Sequence, residues 1–457
     1  MRNFALSLFR TSLTPAKISV FKYVLMSAAE SPRIRRLIFF VATLGATFSD
    51  ELYSLLLDKQ LSLHFISAPN LFTGGPLTIL IDCLASIPDE MKKDSSRVIL
   101  LCSSEVYLKL SLPAKVYPLC LPLSRSSWFI RLYYERIGFY ILSCLCNVHT
   151  WVSLHDFTSN VKAKYRYTYY HNPTPFWLPQ LRHIIFAPGL LLWKLFYFPL
   201  AAWGIDRNDS LIVQQHWLKY EFTKRFPRLR VLVMPPIAGK LSSVNLPIKS
   251  NYRALTNNNV LSTYCQVYSQ PPPDFIFFYP CIPRVFKNIE LAIESVLAAN
   301  TAGFACSLLV TISGDENVYS RYLKLRYGKQ DSIKFIGYQN RQEMDALYKS
   351  VDALLFTSLL ETWGLPMSEA QSYSLPIVAI DLPYVRETAK DYPYLYLSSD
   401  KNLIDLARFY TALDKDSFTK PRTLPLPSLI MVPNRSSEID WYCLWQAVAS
   451  SRRLLVS

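Results

Sequence analysis

The sequence has few glycines and few charged residues for its length: 12 glycines and 18% Asp, Glu, Lys and Arg among 457 residues. It also lacks a basic helix, a zinc-finger spacing and an RNP-like aromatic stretch, so nucleic acid is not supported as a partner. The nine cysteines are an odd number without a repeated C-x-x-C spacing, which argues against a disulfide framework or a zinc site. We therefore expect reduced, mostly buried thiols in a cytoplasmic protein.

The charges that are present are unbalanced. Lys and Arg exceed Asp and Glu by 49 to 34, which gives a formal net charge of +15. This surplus favours anionic partners such as phosphorylated small molecules or acidic lipid head groups. An apolar content of 51% in a chain of this length predicts two domains of about 150 to 200 residues each.

Two apolar stretches raise the question of a membrane. The run at 38–47 follows three arginines as in a signal peptide, but it is too short to span a bilayer and no small-residue cleavage site follows it. We expect 1–60 to be a poorly ordered or peripheral extension, or an overextended start of the reading frame. The segment 183–205 is interrupted by Pro, Gly and Lys, and predicts a buried or membrane-facing pair of helices. Peripheral binding at the inner face of the membrane is therefore left open.

From residue 61 the pattern alternates between buried strands and helices, which is typical of a doubly wound α/β domain. We assign this domain to 61–265. Gly74 and Gly75 lie where its first helix begins, and they either allow close approach of a ligand or simply form a turn. The predicted strands are 61–67, 97–103, 150–157, 165–172 and 210–215.

Two of these strands end at histidines, His155 and His171. Ligands of open α/β sheets bind outside the carboxyl ends of the strands, so both side chains are candidates for chemistry. A histidine that only caps the strand through its own hydrogen bonds is an equally good explanation for His155. His171 is the stronger candidate because the two prolines of H-N-P-T-P-F make its loop rigid.

A polar, proline-rich stretch at 257–273 marks a domain boundary, and a second alternation follows it. We assign 266–436 to a second doubly wound domain that faces the first across a cleft. Its predicted strands are 275–280, 306–314, 332–338 and 353–358, with helices at 288–300 and 341–351.

The stretch E-T-W-G-L-P-M-S-E, from Glu361 to Glu369, is the most informative in the chain. We expect Glu361 in a loop that faces the cleft, and Glu369 in the first turn of a helix that begins at Pro366. Gly364 lets the backbone approach a ligand closely, and the N–H groups at the start of the helix can face a diphosphate. A solvated pair of surface carboxylates is the alternative, but such a pair does not need the G-L-P segment.

This motif, followed by L-P-I-V-A-I-D and V-R-E, resembles that of the retaining nucleotide-sugar glycosyltransferases of family 4, which have the GT-B fold. The family usually has E-G-F-G-L-P-x-x-E-A, whereas here Thr362 and Trp363 replace Gly and Phe, as in a subgroup from bacterial surface-polysaccharide clusters. The resemblance covers about 61–455 and implies transfer of a sugar from a nucleotide-sugar donor to a lipid-linked or polysaccharide acceptor. It implies no cofactor, because the nucleotide-sugar is a substrate. A GT-B-shaped binding or scaffold protein that has lost turnover is the alternative.

The resemblance also implies roles for individual residues. Glu361 would contact the hydroxyls of the transferred sugar and Glu369 the ribose. P-R-V-F-K-N matches the basic pair of the family, so Arg284 and Lys287 would hold the donor diphosphate without a metal. A solvated pair of cations at the start of a helix is the alternative for these two residues. The further donor-side residues are His171 near the sugar, the loop residues Gly74, Gly75, Gly364 and Leu365, and Ile336 and Tyr338 near the base. By analogy with GT-B proteins, we expect 437–457 to form a closing helix that returns to the first domain.

Overall fold

The computed structural model describes residues 31–46, 48–72, 74–92, 95–177, 179–189, 196–236, 275–400, 403–412 and 438–450. Within these residues the chain forms two separate sheets, and every strand pair in both sheets is parallel. The predicted linker at 257–273 lies outside the described residues.

The first sheet has seven strands in the order β3-β2-β1-β4-β5-β6-β7. Two of them, β3 and β7, were not predicted from the sequence. The strands are β1 (Ser62–Ser67), β2 (Ser96–Cys102), β3 (Val116–Cys120), β4 (Val148–Ser153), β5 (Tyr165–Tyr170), β6 (Ser210–Val213) and β7 (Val231–Val233).

The second sheet has six strands in the order β10-β9-β8-β11-β12-β13. Its central strands are continuous apolar runs with every residue buried, as in F-I-F-F-Y and A-L-L-F, because helices cover both faces of the sheet. The strands are β8 (Phe275–Tyr279), β9 (Cys306–Val310), β10 (Ile333–Phe335), β11 (Ala353–Phe356), β12 (Ile377–Ile380) and β13 (Leu395–Ser398).

Helices connect the strands in both domains, as parallel pairing requires. Around the first sheet they are α1 (Pro32–Thr43), α2 (Asp50–Leu57), α3 (Gly74–Ala85), α4 (Ser104–Lys109), α5 (Trp128–Tyr133), a π-helix (Tyr134–Gly138), α6 (Phe139–Leu145), α7 (Leu181–Phe186), α8 (Phe198–Ala202) and α9 (His216–Arg225). Around the second they are α10 (Ile289–Thr301), α11 (Val318–Tyr327), α12 (Arg341–Ser350), α13 (Leu365–Ser372), α14 (Pro383–Thr388) and α15 (Leu406–Ala412), followed by α16 (Trp441–Ala449).

The first two helices correct the expectation for 1–60. Helices α1 and α2 bury Phe39 and Leu56 completely in the same core cluster as Phe65 of β1 and Trp151 of β4. The prediction of a poorly ordered or peripheral extension is therefore wrong for 32–57, while 1–30 lie outside the described residues. The basic and apolar pattern is similar to that of a signal peptide, but Phe39, Ala42 and Ala46 of the apolar run are buried in this core.

The last helix, α16, packs on the first domain. Its Trp445 Nε1 donates to the carbonyl of Cys83 at 3.1 Å, and the Trp441 ring stacks on Tyr169 of β5 with centroids 5.3 Å apart. Just before the helix, the Ile439 amide donates to the carbonyl of Val233 at 2.9 Å. The chain thus crosses from the second domain back to the first.

The apolar segment 183–205 lies partly in α7 and α8. None of the helices in the described part of the chain has both the length and the apolar character that a membrane span requires. The segment instead contributes to contacts between the two domains, which are described below. The eight described cysteines are free thiols and five of them are buried, as expected; Cys265 lies outside the described residues.

Candidate active site

Each sheet has one place where its strand order changes direction, between β1 and β4 in the first and between β8 and β11 in the second. Loops that leave the carboxyl ends of two such strands diverge to opposite sides, and the crevice between them is where α/β proteins bind ligands. The loop after β8 carries Arg284 and Lys287, and the loop after β11 carries Glu361. Arg284, Lys287 and Glu361 therefore lie at the switch point of the second sheet.

Lys287 and Glu361 form an ion pair with each other, between side chains that are only 10% and 15% exposed. Hydrogen bonds also join the loops after β8 and β11 that carry these two residues. Thr357 Oγ1 donates to the carbonyls of Lys287 and Asn288, and the Leu359 amide donates to the carbonyl of Phe286 at 2.7 Å. The pair consequently has a defined position, and an anionic ligand could take the place of Glu361 against the lysine.

Arg284 lies at the start of the 3-10 helix Val285–Lys287 and is exposed. None of the ion pairs found among the described residues includes its guanidinium. A cation that is exposed and not neutralised, three residues from Lys287, is suited to a phosphate group.

The G-L-P segment forms the start of α13. Gly364 has φ +86°, and a Cβ at this position would lie 2.7 Å from Met367 Cε, so a larger residue would be strained there. Trp363 Nε1 donates to Ser368 Oγ at 2.8 Å and fixes the indole over the first turn. The helix begins at Leu365 rather than Pro366, and its first turn contains no acidic residue. The expectation that Glu369 lies in that turn is therefore wrong.

Glu369 lies in the second turn of α13 and contacts two residues of α12. Its Oε1 accepts a hydrogen bond from Arg341 Nη1 at 2.6 Å, and its Oε2 accepts one from the Tyr348 hydroxyl at 2.8 Å. Burial raises the pKa of Tyr348 well above its ordinary value, and the negative charge of Glu369 raises this pKa further. The hydroxyl therefore remains a donor. Sequence reasoning missed Arg341 and Tyr348 because neither belongs to a recognisable motif.

The two residues predicted near the base follow β10. Ile336 continues the ladder through its amide, which donates to the carbonyl of Val310 at 3.0 Å, and its side chain packs on the core of the second domain. Gly337 then turns the chain with φ +72°. Tyr338 is 89% exposed and its ring is available for stacking on a planar group.

The glycine pair of the first domain faces the second domain. A Cβ on Gly75 would lie 2.9 Å from Leu365 Cδ1, so the start of α3 approaches the start of α13 across the domain boundary. Gly74 has φ +61°, and nothing lies within 4 Å of where its Cβ would be. The two predicted glycine loops thus meet, and a Cβ at Gly75 would require the Leu365 side chain to shift.

His171 follows β5, and its side chain is 16% exposed. Its amide donates to Asp156 Oδ1 at 2.7 Å, and its Nδ1 lies 3.7 Å from the same oxygen. Asp156 in turn accepts a hydrogen bond from the Tyr197 hydroxyl. The ring thus lies beside a carboxylate, at a distance too long for a hydrogen bond.

His155 is fully buried instead, and its ring contacts two groups. Ser67 Oγ lies 3.0 Å and Glu135 Oε1 lies 3.2 Å from its Nε2. Ser159 Oγ donates to the other carboxylate oxygen of Glu135 at 2.7 Å. Such contacts fit the alternative explanation of His155 as a hydrogen-bonded structural residue.

Glu135 is the residue of this cluster that sequence reasoning missed. It lies in the π-helix and is completely buried, and burial raises the pKa of its carboxyl group to about 7. Burial also lowers the pKa of His155 well below its ordinary value. The sequence contains no signal for this pair, since Glu135 stands in an aromatic stretch without a motif.

Aromatic contacts join the two domains next to the donor-side loops. Trp177, which follows the His171 loop, packs edge-on against Phe286 with ring centroids 5.8 Å apart. Phe186 of α7 packs on Tyr322 of α11 at 4.7 Å. These contacts bring the chain after His171 against the segment that carries Arg284 and Lys287.

Residues 269–416 match the model of the family described as "Glycosyl transferases group 1". The match includes the second sheet, the ion pair and both carboxylates of the E-T-W-G-L-P-M-S-E motif. No curated protein sequence matches the chain. The family match supports glycosyl transfer as the class of activity.

Solved structures define the fold class. The chain is similar to a sucrose-phosphate synthase from Thermosynechococcus elongatus, with a TM-score of 0.53, 13% identity, and coverage of 77% of this chain and 90% of that one. It is also similar to a glycosyltransferase from Rickettsia africae ESF-5, with a TM-score of 0.51, 13% identity, and coverage of 77% and 88%. The protein has the two-domain α/β GT-B fold, as the sequence predicted.

Proposed function

We propose that the protein is a retaining glycosyltransferase of family 4 that moves a sugar from a nucleotide-sugar donor to a lipid-linked or polysaccharide acceptor. The ion pair between Lys287 and Glu361 carries this proposal. It places a cation and a carboxylate side by side at the switch point of the domain that matches the glycosyltransferase family. A nucleotide-sugar has an anionic diphosphate directly bonded to a sugar rich in hydroxyls, so its two parts complement these two side chains.

Lys287 and Arg284 are proposed to bind the diphosphate. Negative charge grows on the leaving phosphate as the glycosidic bond breaks, and fixed cations at that position stabilise the transition state. Two cations perform this role without a metal, so we propose metal-independent transfer. When the diphosphate takes the place of Glu361 at Lys287, the carboxylate becomes available to the hydroxyls of the sugar.

Glu369 is proposed to bind the ribose through hydrogen bonds to its carboxylate, with Arg341 and Tyr348 holding that carboxylate in place. The exposed ring of Tyr338, with Ile336 beside it, is proposed to contact the base. His171 is proposed as the histidine near the donor sugar, because its ring is partly exposed whereas that of His155 is buried. Neither carboxylate of the motif is proposed as a covalent nucleophile.

The acceptor is proposed to be presented at an anionic membrane surface. Along α1 the side chains of Ile34, Leu37 and Val41 are all exposed, and their spacing of three and four residues places them on one face. The helix contains three arginines and no acidic residue. An exposed apolar stripe with flanking cations suits the interface of an acidic bilayer, which supports a peripheral role in cell-surface glycan biosynthesis at the inner face of the membrane.

Hydrolysis and transfer assays with a panel of UDP-, GDP- and ADP-sugars test this function. Release of nucleotide from one donor, unchanged by EDTA, is the expected result. Binding of a nucleotide-sugar without turnover of any donor in the panel would instead favour the alternative, a GT-B-shaped binding or scaffold protein. Loss of turnover in EDTA would contradict metal independence.

A further inference from the structure

Two consecutive residues of the first domain contact α14 of the second domain. Gln215 precedes α9 and is completely buried, and its side-chain amide donates to Thr388 Oγ1 at 2.7 Å and to the carbonyl of Tyr384 at 3.2 Å. The next residue, His216, has its amide and its Nδ1 2.7 and 2.8 Å from Glu387 Oε1. Consecutive residues of one domain thus bind consecutive residues at the end of α14 in the other.

The orientation of the Gln215 amide is determined by its surroundings. Its Oε1 accepts a hydrogen bond from Trp217 Nε1 at 2.8 Å, while its nitrogen faces the carbonyl oxygen of Tyr384. The reversed orientation would place two oxygens together and two N–H groups together. Gln215 is therefore the donor to Thr388.

Thr388 connects Gln215 to the E-T-W-G-L-P-M-S-E motif through hydrogen bonds. Its hydroxyl accepts from Gln215 and donates its single proton to the carbonyl of Trp363. Trp363 lies two residues after Glu361. Two residues before Glu361, the Leu359 amide is bonded to the carbonyl of Phe286. The loop is thus held on both sides of Glu361, once from within its own domain and once through Thr388 from the first domain.

We propose that Gln215 and Thr388 are positioning residues, which fix the position of Glu361 through the contact between the two domains. The expected effect on catalysis rests on the proposed function, whereas the anchoring of the loop does not. With the Thr388 hydroxyl removed, the carbonyl of Trp363 loses its donor and the second anchor of the loop is lost. Small displacements of a group that acts on the reacting sugar lower turnover strongly, whereas diphosphate and ribose contacts made elsewhere are retained.

The test uses Thr388→Val, which removes only the hydroxyl from a side chain of the same shape, and Thr388→Ser, which restores it. Thr301→Val is the matched control, because that hydroxyl donates to the carbonyl of Leu297 in its own exposed helix end and has no other partner among the described residues. Gln215→Leu, and the double variant that combines it with Thr388→Val, complete a double-mutant cycle. Gln215→Leu also removes the acceptor of Trp217 Nε1. Amide hydrogen exchange of the central strand β8 therefore checks that this variant is folded.

Amide hydrogen exchange of peptides that cover 359–366 reports anchoring without any need for activity. Faster exchange in Thr388→Val and Gln215→Leu, with wild-type exchange in Thr388→Ser and Thr301→Val, is the expected result. The double variant is expected to exchange no faster than Thr388→Val. Wild-type exchange of 359–366 in Thr388→Val would overturn the proposal.

Kinetics with the donor identified by the panel give the second readout. Thr388→Val is expected to lower kcat about tenfold or more while donor KM changes less than about threefold, and Thr388→Ser is expected to restore kcat. A purely structural role would reduce the folded fraction and leave the kcat of the folded enzyme unchanged, and that result contradicts the proposal. Absence of turnover in the wild type would refute the proposed function alone, since hydrogen exchange still decides whether the loop is anchored.

Discussion

Lys287 and Glu361 neutralise each other at the ends of two adjacent strands, although 74 residues separate them in the chain. Both loops are held by backbone and hydroxyl hydrogen bonds, so the pair is part of a prearranged site. An anionic donor would compete with Glu361 for Lys287. Substitution of Lys287 is therefore expected to weaken donor binding, whereas substitution of Glu361 is expected to leave it unchanged or to strengthen it.

Lys287→Ala is expected to weaken donor binding and turnover together. In the proposed function the lysine contacts the diphosphate in both the ground state and the transition state, and loss of a hydrogen bond to a charged group lowers affinity by about 10- to 100-fold. Donor titration and steady-state kinetics measure both effects, with the exposed Lys349→Ala as the control. Kinetics that match those of the wild type would show that the phosphate site is assigned wrongly.

Glu361→Gln is expected to lower kcat about tenfold or more with donor affinity unchanged or increased. In the proposed function the carboxylate positions the sugar as it gains oxocarbenium character, and its removal also frees Lys287 for the diphosphate. Single-turnover rates and donor titration separate the two effects. A variant with full turnover would contradict the role of Glu361.

Glu369→Gln is expected to raise donor KM, by about tenfold, more than it lowers kcat. The proposed hydrogen bonds of Glu369 to a ribose are made equally in the ground state and the transition state, and the amide that replaces the carboxylate is a weaker acceptor. Steady-state kinetics on this variant and on Glu361→Gln compare the two carboxylates. Should Glu369→Gln abolish turnover with donor affinity intact, the two roles are reversed.

Glu135→Gln is expected to gain stability relative to the wild type as the pH rises. The folded protein retains the Glu135 proton up to about pH 7, whereas an unfolded chain releases it near the ordinary value of 4.5. The stabilisation that this proton binding provides is complete below pH 4.5 and is lost as the pH rises towards 7. The neutral amide does not titrate, so the difference in unfolding free energy shifts by about 3 kcal/mol in favour of the variant.

Urea unfolding at several pH values between 4.5 and 8 measures this difference, with the exposed Glu51→Gln as the control. The lowered pKa of His155 has the opposite effect on stability, which rises with pH up to about 6.5. A difference that does not depend on pH would show that Glu135 is ionised in the folded protein.

Flotation with acidic liposomes is expected to recover the protein at low salt and to lose much of it at high salt. Leu37→Glu in the exposed stripe of α1 is expected to reduce recovery at low salt, because a carboxylate opposes both insertion and attraction to the lipids. Leu325→Glu, which replaces an even more exposed leucine in the second domain, is the matched control. Recovery that depends on neither lipid charge nor salt would contradict peripheral electrostatic binding.

The sequence by itself determined the two doubly wound domains and the position of the motif. Apolar runs such as F-I-F-F-Y and A-L-L-F predict buried strands because burial on both faces needs no alternation of polar residues. The place of Glu361 after a strand and of Gly364 at the start of a helix follows from local backbone chemistry in the same way. Local patterns also have limits, since they missed the strands β3, β7, β12 and β13 and the packed helices α1 and α2.

Only the tertiary structure decided which of these residues meet. The strand order places β8 beside β11, which pairs Lys287 with Glu361, and the packing of α12 on α13 gives Glu369 its partner Arg341. The contact of Gln215 with Thr388 spans 173 residues and two domains. Such contacts depend on how sheets and domains pack, whereas hydrophobic periodicity reports only whether a segment is buried, not the partner against which it lies.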